Sequence, residues 1–208
     1  MHHQTILLFL LSLPLAYTHP LLAPRASPLT SDTQNDVVDN TGCKAVTIIF
    51  ARGTLESGNV GSIAGPPFFQ ALATSIGADQ LAVQGVDYPA DVAGFLAGGD
   101  AAGSKLMAQL VGQAQTQCPD TKVVMSGYSQ GGQLVHNAAK RITAAQGAAV
   151  SSVVIFGDPD DGQAVANVDA AKVDIICHTG DLICQGQDTI LLPHLTYSQD
   201  AASAAAFV

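Results

Sequence analysis

The stretch between residues 121 and 135 constrains the fold more than any other part of the chain. An apolar run, Val123 to Met125, comes directly before the pentapeptide Gly127-Tyr-Ser-Gln-Gly131, and a helix-like segment follows. The run is typical of a buried parallel strand, and the glycines allow a sharp turn that presents the Ser129 hydroxyl above the end of a sheet. The pentapeptide alone fits an ordinary Gly/Ser turn equally well, but the strand and helix beside it favour a nucleophilic serine.

Alternating strand and helix patterns predict the fold class. Apolar, β-branched runs predict strands at 45–50, 81–86, 123–125, 152–156 and 173–177. Helical spacing predicts helices from about 66, over 101–116 and from 130 to about 146, with an irregular segment at 87–100. This order predicts one α/β domain with a central parallel sheet flanked by helices on both faces. Catalytic residues then belong at the carboxyl ends of the strands.

Charge and composition exclude several classes of partner. The 208 residues carry a formal net charge of -9 with only 8 Lys and Arg, which do not form a run. Phosphate binding needs clustered cations, so we expect no nucleic-acid partner. Trp is absent and other aromatic residues are few, which argues against a carbohydrate platform of stacked rings.

The amino-terminal pattern predicts export. Residues 1–18 contain an apolar run too short to span a bilayer and are expected to be a signal peptide. Residues 19–40 are expected to be a flexible leader or a pro-segment with a further processing point after Arg25, followed by the domain at 41–208. No later segment is long and apolar enough for membrane insertion, so we expect a secreted, extracellular protein.

Four cysteines, an even number, predict two disulfides in a secreted chain. Three pairings are possible. Cys177 and Cys184 are close in sequence, so a local bridge between them is plausible, which leaves Cys43 to pair with Cys118. A metal site is the alternative, but no Cys-x-x-Cys or paired His accompanies these residues, and we expect no metal.

The chain order of the other catalytic groups selects a base and an acid. An α/β-hydrolase presents them in the order Ser, acid, His. His194 follows a loop-like segment and fits this order, whereas His178 precedes Asp181 and His136 falls on a helix. Asp181 is the preferred acid because a short disulfide loop would hold its carboxylate rigid. The competing acids are Asp158, Asp160, Asp161 and Asp188, of which residues 158–161 are expected to form a solvated turn.

An oxyanion hole is expected between two loops. One donor should be the backbone N–H of Gln130, which follows the nucleophile, and the other should come from the loop after the first strand. Thr54 lies in that loop and could add its hydroxyl, although an ordinary loop threonine is an equal alternative from position alone.

Several short blocks, taken together, resemble fungal cutinases. They occur in a specific order from Cys43 to Tyr197, across essentially the whole predicted domain. The blocks are Cys43, Ala51–Asn59, Val83–Val86, Cys118–Pro119, Gly127–Gly131, Cys177–Cys184 and Pro193–Tyr197.

This resemblance implies a lidless α/β-hydrolase that hydrolyses the ester bonds of cutin without a cofactor. It implies Ser129 as nucleophile, His194 as base and Asp181 as acid, with Thr54 and Gln130 at the oxyanion hole. It also implies the bridges Cys43–Cys118 and Cys177–Cys184.

The apolar run before His194 indicates where an acyl chain would bind. Ile190, Leu191 and Leu192 are expected to form one wall, with Phe95 and Leu96 opposite, unless these side chains simply pack in the core. The expected substrate is an insoluble polyester such as cutin, or a lipid-like ester of short to medium chain length, and the expected state is a monomer. The alternatives are an acetylxylan esterase of the same fold and a non-catalytic secreted wall-binding protein on a hydrolase scaffold.

Overall fold

The computed structural model describes residues 27–208. The predicted signal peptide, 1–18, and residues 19–26 of the predicted leader lie outside the described residues. Five parallel strands form one sheet in the order β2-β1-β3-β4-β5. The strands are β1 (Val46–Ala51), β2 (Leu81–Gly85), β3 (Lys122–Tyr128), β4 (Val150–Phe156) and β5 (Val173–Ile176). The predicted α/β fold with a parallel sheet is therefore confirmed.

Helices cover both faces of the sheet. They are α1 (Gly65–Ile76), α2 (Val92–Leu96), α3 (Ala101–Gln117), α4 (Gln130–Ala139), α5 (Ala144–Ala149) and α6 (Ala201–Phe207). Alternate residues of β1 enter different cores: Ile49 packs with α3 and α4, whereas Ile48 and Phe50 pack with α1 and α6. Successive strand residues point to opposite faces, so a strand buried on both faces must be apolar throughout. This is why all six residues of β1 are buried.

The helix predicted from residue 130 to about 146 is two helices. The first, α4, ends at Ala139, and the carboxamide of Asn167 donates to the carbonyl oxygens of Ala139 and Ile142 just beyond that end. Thr143 then starts α5 through reciprocal hydrogen bonds with Gln146. Such a capping box satisfies backbone donors at a new helix start, and the apolar spacing of the sequence did not reveal it.

The segment 87–100, predicted to be irregular, contains the short helix α2. The carboxylate of Asp91 caps it by accepting a 2.7 Å hydrogen bond from the backbone N–H of Gly94. Five residues are too few for helical periodicity to show in a sequence.

The boundary predicted at residue 41 lies too late. Asn35 forms an antiparallel bridge with Gln84 of β2. The backbone N–H of Asp36 donates to the Val83 carbonyl at 3.0 Å, and that of Gly85 donates to the Gln34 carbonyl at 2.8 Å. These groups occupy the outer edge of β2, so residues 34–36 belong to the packed domain and are not a flexible leader.

The structure contains both expected disulfides. Cys43 is joined to Cys118, and Cys177 to Cys184. The first bridge precedes β1 and β3, so it lies at the amino end of the sheet, whereas the second follows β5 at the carboxyl end. Within residues 27–208, no helix is long and apolar enough to cross a membrane.

Candidate active site

Ser129 lies at the sharp turn between β3 and α4. Its φ of 55° is in the left-handed region, which is unfavourable for a residue with a side chain. Close packing of the flanking glycines fixes this turn. A Cβ on Gly127 would lie 2.3 Å from the Gly131 carbonyl oxygen, and one on Gly131 would lie 2.0 Å from the Ala51 carbonyl oxygen. Only glycine fits at both positions, so the backbone must direct the Ser129 side chain above the end of the sheet.

The structure brings Ser129, His194 and Asp181 into one hydrogen-bonded chain. The Ser129 Oγ lies 2.9 Å from His194 Nε2, and His194 Nδ1 lies 2.8 Å from Asp181 Oδ2. The three residues are 5%, 1% and 1% exposed. A carboxylate in this position holds the imidazole in one tautomer and stabilises the imidazolium that forms when the serine proton is transferred. The geometry therefore matches the arrangement expected from the sequence.

The catalytic loops are held by further polar contacts. Asp181 Oδ1 accepts a 3.0 Å hydrogen bond from the Ile183 N–H, and Oδ2 accepts a 2.6 Å hydrogen bond from the Tyr197 hydroxyl. The Tyr128 hydroxyl donates to the His194 carbonyl oxygen at 2.8 Å, and its ring stacks on the imidazole with centroids 5.0 Å apart.

The two phenols remain hydrogen-bond donors over the working pH range. Burial raises the pKa of both Tyr128 and Tyr197, and the nearby Asp181 carboxylate raises them further. The sequence analysis assigned no role to these residues. The available sequence signal was proximity to the triad, because Tyr128 directly precedes Ser129 and Tyr197 lies three residues after His194.

The expected oxyanion-hole residues are also brought together. The Gln130 side chain donates from Nε2 to Thr54 Oγ1 at 2.8 Å and to the Asp91 carbonyl oxygen at 2.9 Å. Because the Thr54 hydroxyl accepts this bond, its own proton is available to another acceptor. Gln130 is the first residue of α4, so its backbone N–H has no acceptor within the helix.

Glu56 stabilises the loop that carries Thr54. Its carboxylate accepts hydrogen bonds from the backbone N–H groups of Gly53, Ser62 and Ile63 at 2.8, 2.8 and 2.9 Å. Three hydrogen bonds to one charged group hold a loop firmly. The sequence analysis did not assign this role to Glu56, because the donors are backbone groups without a sequence signature.

The apolar side chains expected to bind the acyl group lie on the surface and not in the core. Ile190, Leu191 and Leu192 are 54%, 43% and 73% exposed, and Leu55, beside Thr54, is 79% exposed. Phe95 and Leu96, expected to form the opposite wall, line a crevice of about 580 Å³ together with Gln133, Pro159, Asp160 and residues 186–188. The assignment of these side chains to an acyl-binding surface stays a prediction.

The predicted solvated turn at 158–161 is wrong for Asp158. This residue is fully buried, and its Oδ2 lies 2.8 Å from Nε2 of the buried His136. The pair joins the end of β4 to α4, so His136 lies outside the chain of Ser129, His194 and Asp181. No local pattern indicated the pair, because its members come from separate elements.

The fold and the site together define a class of protein: a serine hydrolase of the α/β-hydrolase type. The family model for cutinase matches residues 42–208. The chain is 58% identical over 171 residues to a cutinase of Botryotinia fuckeliana, covering 82% of this chain and 85% of that protein. A cutinase of Monilinia fructicola is 56% identical over 171 residues, with the same coverage of 82% and 85%. The chain belongs to the cutinase family and is a carboxylic ester hydrolase.

Solved structures agree with this assignment. The Trichoderma reesei cutinase in complex with a C11Y4 phosphonate inhibitor has a TM-score of 0.81 and 51% identity, covering 86% of this chain and 79% of that one. An acetylxylan esterase has a TM-score of 0.64 at 21% identity, covering 80% and 97%, and shares the fold.

Proposed function

We propose that this protein hydrolyses the ester bonds of cutin and of short-to-medium-chain acyl esters, with Ser129 as nucleophile. The observation that carries the proposal is the buried hydrogen-bonded chain from Ser129 Oγ through the His194 ring to Asp181 Oδ2. Membership of the cutinase family and the names of its relatives support the choice of substrate.

The proposed reaction has two matching halves. His194 Nε2 accepts the Ser129 proton as Oγ attacks the ester carbonyl carbon, and the resulting oxyanion accepts hydrogen bonds from Thr54 and Gln130. The C–O bond to the alcohol then breaks, and His194 returns the proton to the departing alcohol. Water attacks the acyl-enzyme by the same route, releasing the acid and restoring Ser129. Asp181 Oδ2 accepts the hydrogen bond from His194 Nδ1 and stabilises the imidazolium.

The surface around the site favours a substrate presented from outside. Leu55 adjoins an oxyanion-hole residue, and Ile190, Leu191 and Leu192 directly precede His194. All four are exposed, and apolar surface of this kind gains free energy when covered, at about 25 cal/mol per Å². We propose that these side chains contact the polymer or the acyl chain. A signal peptide at 1–18 would deliver the enzyme, as a secreted monomer, to such a substrate.

Substrate release separates this function from its rivals. The panel consists of p-nitrophenyl acetate, butyrate and palmitate, acetylated xylan and a cutin-like polyester, each tested with the wild type and with Ser129→Ala. We expect the wild type to cleave the butyrate and the polyester. The variant should be folded, with an unchanged circular dichroism melt, and its turnover should fall by about 10⁶-fold, as removal of a triad serine does elsewhere.

Each alternative predicts a different outcome. Release confined to acetyl groups would support an acetylxylan esterase, and no release from any substrate would support a non-catalytic wall-binding protein. Wild-type turnover by Ser129→Ala would refute the assignment of the nucleophile.

A further inference from the structure

His178 lies beside the triad and contacts both of its supporting segments. Its ring Nδ1 is 2.8 Å from the carbonyl oxygen of Pro193, the residue before His194. Its ring Nε2 is 2.6 Å from Asp200 Oδ2, at the start of α6. The ring also stacks on Tyr197, with centroids 4.2 Å apart and an interplanar angle of 18°. Tyr197 is the residue whose hydroxyl donates to Asp181.

The backbone of His178 adds two further links. Its N–H donates to the Tyr197 hydroxyl oxygen at 3.1 Å, and its carbonyl oxygen accepts from the Asp181 N–H at 3.0 Å. One residue therefore connects the loop of the acid, the turn that carries the base and the carboxyl-terminal helix.

The hydrogen-bond partners determine the protonation state of the ring. A carbonyl oxygen can only accept, so Nδ1 must carry a proton to lie 2.8 Å from Pro193 O. An ionised carboxylate can also only accept, so Nε2 must carry a proton as well. The Thr196 hydroxyl, 3.2 Å from Nδ1, donates its own proton to the same Pro193 oxygen and is left as a second acceptor. Both nitrogens donate only in the imidazolium form.

Loss of one proton breaks this arrangement whichever nitrogen loses it. Without the Nδ1 proton, a ring lone pair faces the Pro193 carbonyl oxygen, and without the Nε2 proton it faces the Asp200 carboxylate. Each is a close contact between two acceptors, which repel one another. The turn before His194 or the start of α6 must then move away from the ring.

We propose that His178 is a positioning residue for the reaction, acting as an imidazolium ion that ties the turn of His194 to the start of α6. The proposal rests on the function proposed for Ser129, His194 and Asp181, and it adds a group that touches none of the reacting atoms. His178 fixes the positions of His194 and of Tyr197, the residue that donates to Asp181. Its loss therefore lowers the rate of the chemical step and leaves substrate binding unchanged.

The surrounding charges favour the imidazolium. Burial lowers the pKa of His178, but hydrogen bonds to the Pro193 carbonyl and the Asp200 carboxylate, with the charges of Asp200 and Asp181, raise it above its ordinary value. The Tyr197 phenol, whose ring stacks on that of His178, stays protonated because burial raises its pKa. Because the folded-state pKa is raised, the contacts are complete below the ordinary pKa of histidine and are lost as pH rises through the raised pKa.

Nuclear magnetic resonance tests the protonation state without any turnover. Long-range ¹H–¹⁵N spectra of the ¹⁵N-labelled full chain distinguish imidazolium from neutral imidazole, and His178→Asn assigns the signal. We expect both ring nitrogens of His178 to be protonated at pH 6. A neutral His178 at that pH would overturn the proposal, whatever the enzyme's substrate.

Kinetics tests the consequence with p-nitrophenyl butyrate between pH 5 and 9.5. We expect the wild-type kcat to fall at high pH while KM stays constant. Asp200→Asn removes the carboxylate at nearly constant size and should move this fall to lower pH by about one unit. His178→Asn can still donate to Pro193 O but cannot reach Asp200, and its kcat should be about three- to tenfold lower at neutral pH, with no such fall.

The matched control is Asp120→Asn, which changes the net charge equally at an exposed position at the amino end of the sheet. Its pH profile should follow the wild type. Profiles of His178→Asn and Asp200→Asn that superimpose on the wild-type profile would overturn the proposal. So would a lower melting temperature with an unchanged kcat per folded molecule, because that result would make His178 purely structural.

Discussion

The hydroxyl of Thr54 provides a quantitative test of the oxyanion hole. Thr54→Val has nearly the same shape but lacks the hydroxyl that accepts from Gln130 Nε2 at 2.8 Å. The Gln130 side chain keeps its 2.9 Å bond to the Asp91 carbonyl, and Glu56 still holds the loop through Gly53. The backbone donors should therefore stay in place, so the variant removes only the two hydrogen bonds of the hydroxyl, the one that it accepts from Gln130 and the one that it donates to the oxyanion.

The size of the effect follows from the number of donors. The proposed hole has the Thr54 and Gln130 backbone N–H groups and the Thr54 hydroxyl. Loss of one such donor typically lowers kcat by about 10²–10³, or about 2.7–4 kcal/mol. Since both backbone groups remain, we expect the lower end, about 10². KM should change little because the bond strengthens only as the oxyanion forms.

The assay is steady-state hydrolysis of p-nitrophenyl butyrate, with the rate of inactivation by a p-nitrophenyl alkylphosphonate as a second measurement. Attack on phosphorus also places negative charge on an oxygen in the hole, so both rates should fall together. Thr54→Ser is the control, because it restores a hydroxyl on the same carbon and should keep most of the activity. A folded Thr54→Val with kcat within about threefold of the wild type would refute the role of the hydroxyl.

Two further predictions concern the support of the site and of the sheet. Tyr197→Phe removes a donor to the Asp181 carboxylate, and a hydrogen bond to a charged group contributes about 1.5–3 kcal/mol. We therefore expect kcat to fall by about tenfold or more at constant KM. An unchanged kcat would contradict the role of the phenol. Replacing Cys43 and Cys118 together by Ala opens a loop with a sequence separation of 75 residues. This change should lower the free energy of unfolding, measured in urea, by about 2–5 kcal/mol. We expect little change in kcat at 25 °C because the bridge lies at the end of the sheet opposite Ser129. Loss of activity in the folded protein would contradict this expectation.

The strands and the order of the site residues could be predicted because their signals are local. A central strand of a parallel sheet is buried on both faces, so β1, β3 and β4 appear in the sequence as nearly continuous apolar runs. The sharp turn at Ser129 needs glycine on both sides, which leaves a recognisable spacing. Asp181 and His194 then followed from chain order, and the structure places both within hydrogen-bond reach of one another.

The features that escaped prediction depend on contacts between distant residues. Asp158 was predicted to lie in a solvated turn because nothing near it in sequence indicates its contact with His136 on α4. The role of His178 depends on Pro193 and Asp200, which lie 15 and 22 residues further along the chain. Segment 34–36 was predicted to be part of a leader because its composition is polar and its backbone hydrogen bonds to β2 leave no side-chain pattern in the sequence.

Segment 34–36 also determines whether the edge of the sheet is open to a second molecule of the same protein. β2 is the last strand at its side of the sheet, and an open edge strand is a template for pairing with a second chain. Residues 34–36 occupy this edge through the bonds of Asp36 and Gly85, and the Asp32 carbonyl oxygen is bonded to the N–H groups of Asn59 and Val60. Loss of residues 32–36 would therefore expose the backbone N–H and C=O groups of β2 and create an edge at which two molecules could aggregate.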